Sequence, residues 1–374
     1  MKDLVKFELY KMFTQKTIYL VAALLMIVTL FFLYQMKGPS LHSLYQKWEG
    51  PVTAQEIELA KQKDDEIVQK QANPKADISW KELKLRNVYD AVIEVGMYNA
   101  SQKRKIHHIE QKINNQKNQS NYVHHNLNLK EKMIKDIDYQ DMYYNRPATQ
   151  IIDFVGTYGY VILGALIVVG LSSIFTQEVT TGVNQYMLSS KLGRRTIVLA
   201  KIIASIIFIF ISLLFLVGID LVYWILTDGN YGWKAPLQSI QKFWESPYSF
   251  DLGSYLWIKV AFQFLAACGF AMFVLLVSAL TRNSIISFFI SGFVIAFPIL
   301  VEQFIPFNMD TFYTLLKFTY ADMMIVDVLF QEFNTVNLFG YPVLYPIFAI
   351  GLLVVSTSLI VYLLYKVMAK KQAA

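Results

Sequence analysis

Long apolar runs alternate with polar segments of very unequal length along this 374-residue chain. A transmembrane helix needs about 20 apolar residues, and six runs approach or exceed that length. They are 17–34, 151–175, 202–226, 255–280, 285–305 and 343–365. The pattern predicts an all-α polytopic membrane protein with six transmembrane helices. Residues 1–16 precede the first helix, 35–150 are inserted after it, and 151–374 carry the other five.

The first apolar run has the basic lead-in and apolar core of a secretory signal. It ends in FFLYQMKG, however, with bulky side chains where a cleavage site needs small ones. We therefore expect 17–34 to be an uncleaved anchor. Composition agrees with a membrane protein, because 55% of the residues are hydrophobic and only 17% are charged.

The distribution of Lys and Arg among the short loops predicts the orientation. Twelve lie in one set of segments, 1–16, 176–201, 281–284 and 366–371. Only three lie in the other short loops, 227–254 and 306–342. Because cytoplasmic loops are enriched in Lys and Arg, we expect both termini in the cytoplasm of a cell-membrane protein and the insert 35–150 outside. Topology then explains the net charge of +6, and no nucleic-acid partner is expected.

A further segment, 310–330, has apolar residues at helical spacing but also carries Lys317, Asp322 and Asp327. A charge at the centre of a bilayer costs about 2.5–3.5 kcal/mol on insertion scales. We therefore expect an amphipathic helix at the outer surface, or one that dips partway in and is buried against protein.

The insert 35–150 has the pattern of a water-soluble helical module and contains all five His residues. Two spacings typical of capping boxes, which start helices, are Thr53–Glu56 and Ser79–Glu82. An a/d register of apolar residues runs from Leu85 to Ile113, and Asn99 and Gln102 weaken its middle. The pattern predicts a helical, coiled-coil-like hairpin.

The histidine pairs 107–108 and 124–125 raise the question of a metal site. Adjacent residues on a helix point about 100° apart, so each pair easily supplies one ligand. Neither a Cys nor a compact set of carboxylates completes a site, because the single cysteine, Cys268, lies in an apolar run. We interpret these histidines as solvated polar positions and predict no metal.

Motifs of the common catalytic sites are absent from the sequence. It contains no GxxxxGK[ST] and no Gly-Lys dipeptide, so it cannot form a Walker phosphate-binding loop. HExxH and GxSxG are also missing. We expect no catalytic residue and no cofactor on this chain.

Two ionisable residues within predicted spans, Asp220 and Lys259, lie toward the outer ends of their helices. Asp220 is about 27 Å along its helix from residue 202, and Lys259 follows Tyr255, where its helix enters, by four residues. Two interpretations stay open. The residues form an ion pair at equal depth, which lowers the cost of both charges, or each side chain snorkels to the outer interface. Neither lies at the midplane, where a proton-coupled carrier would need it.

The polar segment 176–201, TQEVTTGVNQYMLSSKLGRRTIVLAK, interrupts two apolar runs. It contains in order an acidic residue, a glycine, a short amphipathic stretch, a break at Leu192–Gly193 and a basic end. Such an element can lie flat under the membrane, present a small apolar knob and contact lipid phosphates through its cations. An ordinary positive-inside loop explains the cations but not the knob. The residues concerned are Glu178, Gly182, Tyr186, Met187, Leu188, Ser190, Arg194, Arg195 and Lys201.

This order of residues resembles the cytoplasmic loop of type-2 ATP-binding-cassette (ABC) permeases. That family typically has Glu, then Gly-Thr, a leucine near Pro or Ser, an Arg and a Gly-Lys. Here Val183 replaces the Thr, Leu192–Gly193 stands where Pro is usual, and Ala200 replaces the Gly before Lys201. The resemblance extends over essentially the whole chain except 35–150.

The resemblance implies that 176–201 contains the coupling helix, whose nine residues named above contact an ATPase subunit. It also implies an interfacial amphipathic helix over 1–16, and it implies that 310–330 caps the outer end of the pathway. In 1–16 the apolar side consists of Val5, Leu9, Met12 and Phe13, and the polar side of Glu8, Lys11 and Gln15. An insert after the first span resembles the subgroup that low-GC bacteria use for peptide or lipid export and for defence against antimicrobial peptides.

The sequence therefore predicts the permease subunit of an ATP-driven exporter for an amphipathic peptide, lipid or drug-like substrate. Its expected partners are the lipid bilayer, a second permease copy or a similar chain, and separate ABC ATPase subunits that bind ATP and Mg. The alternative is a membrane-anchored assembly or sensor protein whose external coiled coil binds a partner.

Overall fold

The computed structural model describes residues 1–36, 38–73, 78–115, 121–182, 193–304 and 314–370, which are mostly helical. The helices in chain order are α1 (Lys2–Phe13), α2 (Lys16–Met36), α3 (His42–Tyr45), α4 (Ala54–Ala72), α5 (Trp80–Asn115), α6 (Asn121–Lys135), α7 (Arg146–Phe154), α8 (Tyr160–Leu171), α9 (Thr176–Thr180), α10 (Gly193–Asp228), α11 (Leu252–Leu280), α12 (Ser284–Phe304), α13 (Tyr320–Ile325) and α14 (Tyr345–Lys370). Two short antiparallel pairs accompany them, β1 (Gly50–Pro51) with β2 (Asp141–Met142) and β3 (Thr335–Leu338) with β4 (Tyr341–Leu344).

Several of these helices are long and apolar enough to cross a membrane, which agrees with the predicted helical membrane protein. In the described part of the chain the candidates are Lys16–Met36, Arg146–Thr180, Arg195–Asp228, Leu252–Leu280 and Tyr345–Lys370. The predicted span at 285–305 corresponds to α12, whose apolar stretch Ser284–Pro298 is shorter. Pro298 inside this helix removes one backbone hydrogen bond.

The central helix of the bundle is α11, which packs against α8, α10, α12, α13 and α14. Small side chains such as Ala266 and Ala267 let its neighbours approach closely. A Cβ atom at Gly269 would lie 2.7 Å from Cε1 of Tyr320 and 2.9 Å from Oγ1 of Thr357. Glycine is therefore required where α13 and α14 meet α11. In contrast, only 17% of the most apolar stretch of α2 and of α14 is buried, and many of their apolar side chains are exposed.

A helical module within residues 38–145 has a hydrophobic core of its own. There α4 and α5 pack side by side and bury Ala60, Ile67, Val88, Val92 and Val95. The two predicted capping boxes are observed: Thr53 and Glu56 bond reciprocally at the start of α4, and Ser79 and Glu82 do so before α5.

The two polar residues in the a/d register of α5 attach the end of α6. Asn99 Nδ2 donates to the carbonyl of Tyr139 at 3.0 Å. Gln102 Nε2 donates to the carbonyls of Ile134 and Ile137 at 2.8 and 2.9 Å. Ile134 has one of the last carbonyls of α6, which lack partners within the helix, whereas Ile137 and Tyr139 follow the end of α6 at Lys135. Asn99 and Gln102, which interrupt the apolar register, therefore join α6 and the chain after it to α5.

The ends of α10 define two ends of the membrane bundle. Near its start, Lys201 contacts Glu8 of α1, and Arg195 lies close to Tyr365 near the C-terminal end of α14. At its other end, Asp228 accepts a hydrogen bond from Tyr144 at the base of the module. The module and α1 therefore meet opposite ends of the bundle, and the C-terminal end of α14 lies at the same end as α1.

The described part of segment 310–330 is not one continuous amphipathic helix, which corrects the prediction for it. Thr319 starts α13, and its side chain accepts a hydrogen bond from the backbone N–H of Asp322. Val326 has a φ of 69°, which ends this helix before a 3₁₀ turn at Asp327–Leu329. Asp322 and Asp327 are both buried, so this part of the chain folds into the protein.

Candidate functional site

Only part of the predicted coupling segment belongs to the described residues. Glu178 lies in α9, and Gly182 follows it with a φ of 73°, a left-handed conformation that glycine adopts without strain. The predicted knob, with Tyr186, Met187, Leu188 and Ser190, lies outside the described residues.

The basic end of the predicted loop belongs to a helix, which corrects the boundary drawn at residue 201. Arg194, Arg195 and Lys201 all lie in α10, which runs unbroken from Gly193 to Asp228. Val198 and Ala200, near its start, are both buried. Spans are recognised from uncharged runs, so charges in the first turns of a long helix were mistaken for a loop. Arg195 is exposed, whereas Lys201 is buried.

Four charged side chains, here called the α1 cluster, join three helices at this end of the bundle: Glu8, Lys11, Glu178 and Lys201. Lys201 Nζ lies 2.5 Å from Glu178 Oε1 and 2.9 Å from Glu8 Oε2. Lys11 Nζ lies 2.6 Å from Glu178 Oε1 and 3.3 Å from Glu8 Oε2. Each carboxylate therefore contacts both ammonium groups, and the formal charges cancel.

Burial makes this pairing necessary. The side chain of Lys201 is completely inaccessible to solvent, and its Nζ also lies 5.2 Å from the centre of the Phe175 ring. Burial lowers the pKa of Lys11, but Glu178 and Glu8 outweigh that effect, so its pKa lies above the ordinary value. An uncompensated buried charge is strongly destabilising. The α1 cluster therefore fixes α1 to α9 and α10.

Half of this cluster could be recognised from the sequence. Glu178 and Lys201 were predicted coupling residues, and the structure brings them together. Glu8 and Lys11 were assigned only to the polar side of α1, yet Glu8 is 4% exposed. The available signal was the presence of two opposite charges on α1 that complement Glu178 and Lys201.

A second ionic group, here called the π-turn cluster, lies toward the module end of the bundle. It consists of Asp153, Lys242, Tyr255, Lys259 and Asp327. Asp327 accepts hydrogen bonds from Lys259 Nζ at 2.6 Å, from Tyr255 Oη at 2.7 Å and from Lys242 Nζ at 2.7 Å. Lys242 Nζ also donates to Asp153 Oδ1 at 2.5 Å. Burial raises the pKa of the Asp327 carboxyl, but the two lysines outweigh it and lower this pKa below its ordinary value.

A π-helical turn at Val155–Gly159, between α7 and α8, makes room for this cluster. Such turns are frequent at functional sites. Lys259 Nζ donates to the carbonyl of Ile152 at 2.7 Å, and Gln263, one turn further along α11, donates to the carbonyl of Val155 at 3.3 Å. A Cβ atom at Gly156 would collide with Lys259 Nζ and lie 2.8 Å from Asp327 Oδ2.

The predicted ion pair between Asp220 and Lys259 is not formed. Lys259 pairs with Asp327 instead. Asp220 is fully buried, and neither of its carboxylate oxygens makes a hydrogen bond of ordinary geometry in the described part of the chain. Its interacting neighbours are the indole of Trp224, one turn further along α10, and the charge of Lys259. The prediction failed because Asp327 was not considered as a partner: segment 310–330 was expected to be one amphipathic helix, at the outer surface or buried against protein, and its buried part supplies the carboxylate. Snorkelling also fails for Lys259, whose side chain is completely buried.

Two histidines of the predicted pairs contact neighbouring side chains. His107 Nε2 lies 2.9 Å from Gln111 Nε2, and the ring of His125 stacks on Tyr341. The described residues contain no group of three or more His, Cys, Asp and Glu side chains that could hold a metal ion.

Comparison with known proteins gives one match. Residues 53–366 match the sequence model of a family described as ABC-2 family transporter protein. No curated protein and no solved structure matches the chain.

Proposed function

The chain belongs to the ABC-2 family of transporter proteins, and from this we propose that it is the permease subunit of an exporter driven by a separate ATPase. The match covers the described helices from α4 to nearly the end of α14, which include most of the candidate spans. Members of such a family are membrane transport subunits, so ATP and Mg would be bound by a partner chain. The proposed substrate is an amphipathic peptide, lipid or drug-like molecule that leaves the cell.

The proposed topology has six transmembrane helices, with α12 as the fifth. Both termini are placed in the cytoplasm and the module outside. The opposite positions of the α1 end and the module in the bundle support this topology, because the basic segments then share one side of the membrane. The exposed apolar faces of α2 and α14 would face lipid or a second permease copy.

The single observation that supports the proposed mechanism is the α1 cluster. ATP-driven closure of the ATPase subunits would push on segment 183–192 and on α1. Lys201 connects both elements to α10, because it pairs with Glu178 before that segment and with Glu8 on α1. Since α10 extends to the module end, a push at the ATPase would move the whole helix. The two membrane halves would then rock, and the substrate would move along their interface.

Co-purification tests this function. In mild detergent the tagged chain should bring down an ABC ATPase, and substitution Leu188→Asp in the proposed contact segment should abolish both this association and export. Ser101→Asp in the module adds the same charge at a distant site and should leave both intact. An isolated chain that transports alone, or a Leu188→Asp variant that retains full ATPase-coupled export, would contradict the proposal. If only changes in the module abolished binding of a partner, the assembly or sensor alternative would be favoured.

A further inference from the structure

An open cavity of about 750 Å³ lies where the module meets the membrane bundle. Lys84 of α5 reaches it from the module. Arg146 and Thr149 reach it from the first turn of α7, and Lys242 lies on a third wall. The volume is within the range of small-molecule sites. Three cationic side chains line the cavity against one acidic side chain, Asp153.

The positive charges of the side chains that line the cavity are only partly balanced by neighbouring carboxylates. Lys242 is paired with Asp153 and Asp327. Arg146 donates to the carbonyls of Pro39 and Met36 at 3.0 and 3.4 Å, and its only carboxylate neighbour among the described residues, Asp228, is 3.9 Å away. A guanidinium has five N–H donors, so Arg146 retains donors for a ligand.

Lys84 lies in the same cavity without a carboxylate partner. It is half-buried, and no ion pair or side-chain hydrogen bond joins it to the described residues. An anion between Lys84 and Arg146 would balance both charges.

The start of α7 adds two further features that suit an anion. Its N-cap residue, Asn145, has φ of -102° and ψ of 2° and makes no capping bond, and its side-chain Nδ2 donates to Oγ of Ser239 at 2.8 Å. Pro147 has no N–H, and the N–H of Thr149 bonds to the carbonyl of Asn145, so the uncapped backbone donors of this turn are those of Arg146 and Ala148. Such groups at a helix N-terminus attract negative charge. The buried hydroxyl of Thr149 in the same turn has no partner among the described residues.

We propose that this cavity binds the phosphoryl group of an anionic ligand. Lys84, the Arg146 guanidinium and the first turn of α7 would contact its oxygens from three directions. A tetrahedral phosphoryl group presents several charged acceptors, which matches such donors better than a single planar carboxylate. The site lies level with the end of α2 at Met36 and the start of the Arg146–Thr180 span. This is the depth at which a lipid headgroup meets a membrane protein, and a soluble phosphate could reach it from the same side.

The test uses the full-length protein in detergent and has two arms. Inorganic pyrophosphate is titrated by calorimetry, and retained phosphatidylglycerol is counted by native mass spectrometry. Substitution Lys84→Ala should weaken ligand retention by about tenfold, the effect of losing one charge-assisted contact. Lys81→Ala is the matched control, because it removes the same charge from an exposed position of the same helix and should change nothing.

The two arms distinguish the sources of the phosphoryl group. Loss of phosphatidylglycerol from the Lys84→Ala protein identifies a lipid headgroup, whereas loss of pyrophosphate binding alone identifies a soluble anion. Lys84→Gln serves if Lys84→Ala does not fold, and Lys84→Arg should restore binding. Equal losses in the Lys84 and Lys81 variants, or no binding in either arm, would overturn the proposal. Association with the ATPase is measured on the same samples and is expected to be unaffected, so this site can fail independently of the proposed transport function.

Discussion

Lys201 of α10 and Glu178 of α9 lie 2.5 Å apart, although 23 residues separate them along the chain. Their contact brings together the two ends of the chain segment 179–200, which joins two candidate spans. Glu8 adds α1 to the same buried ammonium group at 2.9 Å. One lysine therefore holds together the two elements that we propose to contact the ATPase.

Substitution Lys201→Met should strongly destabilise the protein. It leaves Glu8 and Glu178 buried with only Lys11 to balance them, and removing one partner of a buried ion pair costs about 3–5 kcal/mol. Thermal unfolding in detergent should show a markedly lower midpoint. Arg195→Met is the control, because Arg195 is exposed in the same helix and such surface changes stay within about 0.5 kcal/mol.

The same pair of variants also tests the mechanical role of the cluster. Under conditions in which both remain folded, Lys201→Met should increase hydrogen exchange of the α1 amides, since α1 loses its link to α10. Unchanged exchange in α1 would show that apolar contacts such as Phe13 with Phe208 suffice to hold this helix.

Substitution Gly156→Ala should disrupt the π-turn cluster. The added methyl group collides with Lys259 Nζ, which cannot move away freely because Asp327 and the carbonyl of Ile152 hold it. A lower unfolding midpoint is expected. Gly218→Ala in α10 is the matched control, because a Cβ there meets nothing within 4 Å. Replacing Gly by Ala within a helix should raise the free energy of unfolding by about 0.4–1 kcal/mol. Equal effects of the two substitutions would contradict the packing argument.

Much of the membrane fold could be predicted from the sequence because hydrocarbon selects for long uncharged helices. The apolar runs located the helices well, and the capping boxes at Thr53 and Ser79 marked the starts of α4 and α5. The predictions were wrong where a charged side chain is buried in an ion pair. Lys201 was taken for the end of a loop, and Asp327 was taken for part of one amphipathic helix, either at the outer surface or buried against protein.

The partners of the buried charges could not be predicted, because they come from distant parts of the chain. Glu8 and Lys201 are 193 residues apart, and Lys259 and Asp327 are 68 apart. Helical periodicity reports which face of one helix is apolar, but it does not report which helices meet. The π-helical turn that exposes the carbonyl of Ile152 also has no sequence signature of its own, so the pairing of Lys259 required the structure.

The stabilising effect of Lys11 should persist through neutral pH and disappear only in strong alkali. Its pKa is raised above the ordinary value of 10.5, so the folded state binds its proton more tightly than the unfolded state. This stabilisation is complete below 10.5 and is lost as the pH rises through the folded value. The unfolding midpoints of the native protein and Lys11→Gln should therefore differ by a constant amount from about pH 6 to 9. The exposed Lys6 gives the control Lys6→Gln, and a difference that vanishes already near neutral pH would contradict the assigned pairing.

Substitution Asp220→Asn should leave the stability unchanged or increase it. Neither carboxylate oxygen of Asp220 makes a hydrogen bond of ordinary geometry with the described residues, and its nearest donor is the indole of Trp224, one turn further along α10. An amide oxygen can accept from the same indole, so little is lost and the cost of burying an acid is relieved. Asp327→Asn is the matched comparison, and it is expected to lower the stability. It removes the charge that balances Lys259 and Lys242, and a cost of about 3–5 kcal/mol is expected. Both variants change one carboxyl to an amide of the same shape, so thermal unfolding compares the pairing alone. If Asp220→Asn were as destabilising as Asp327→Asn, Asp220 would have an essential partner of its own, and Lys259 would have to divide its charge between the two acids.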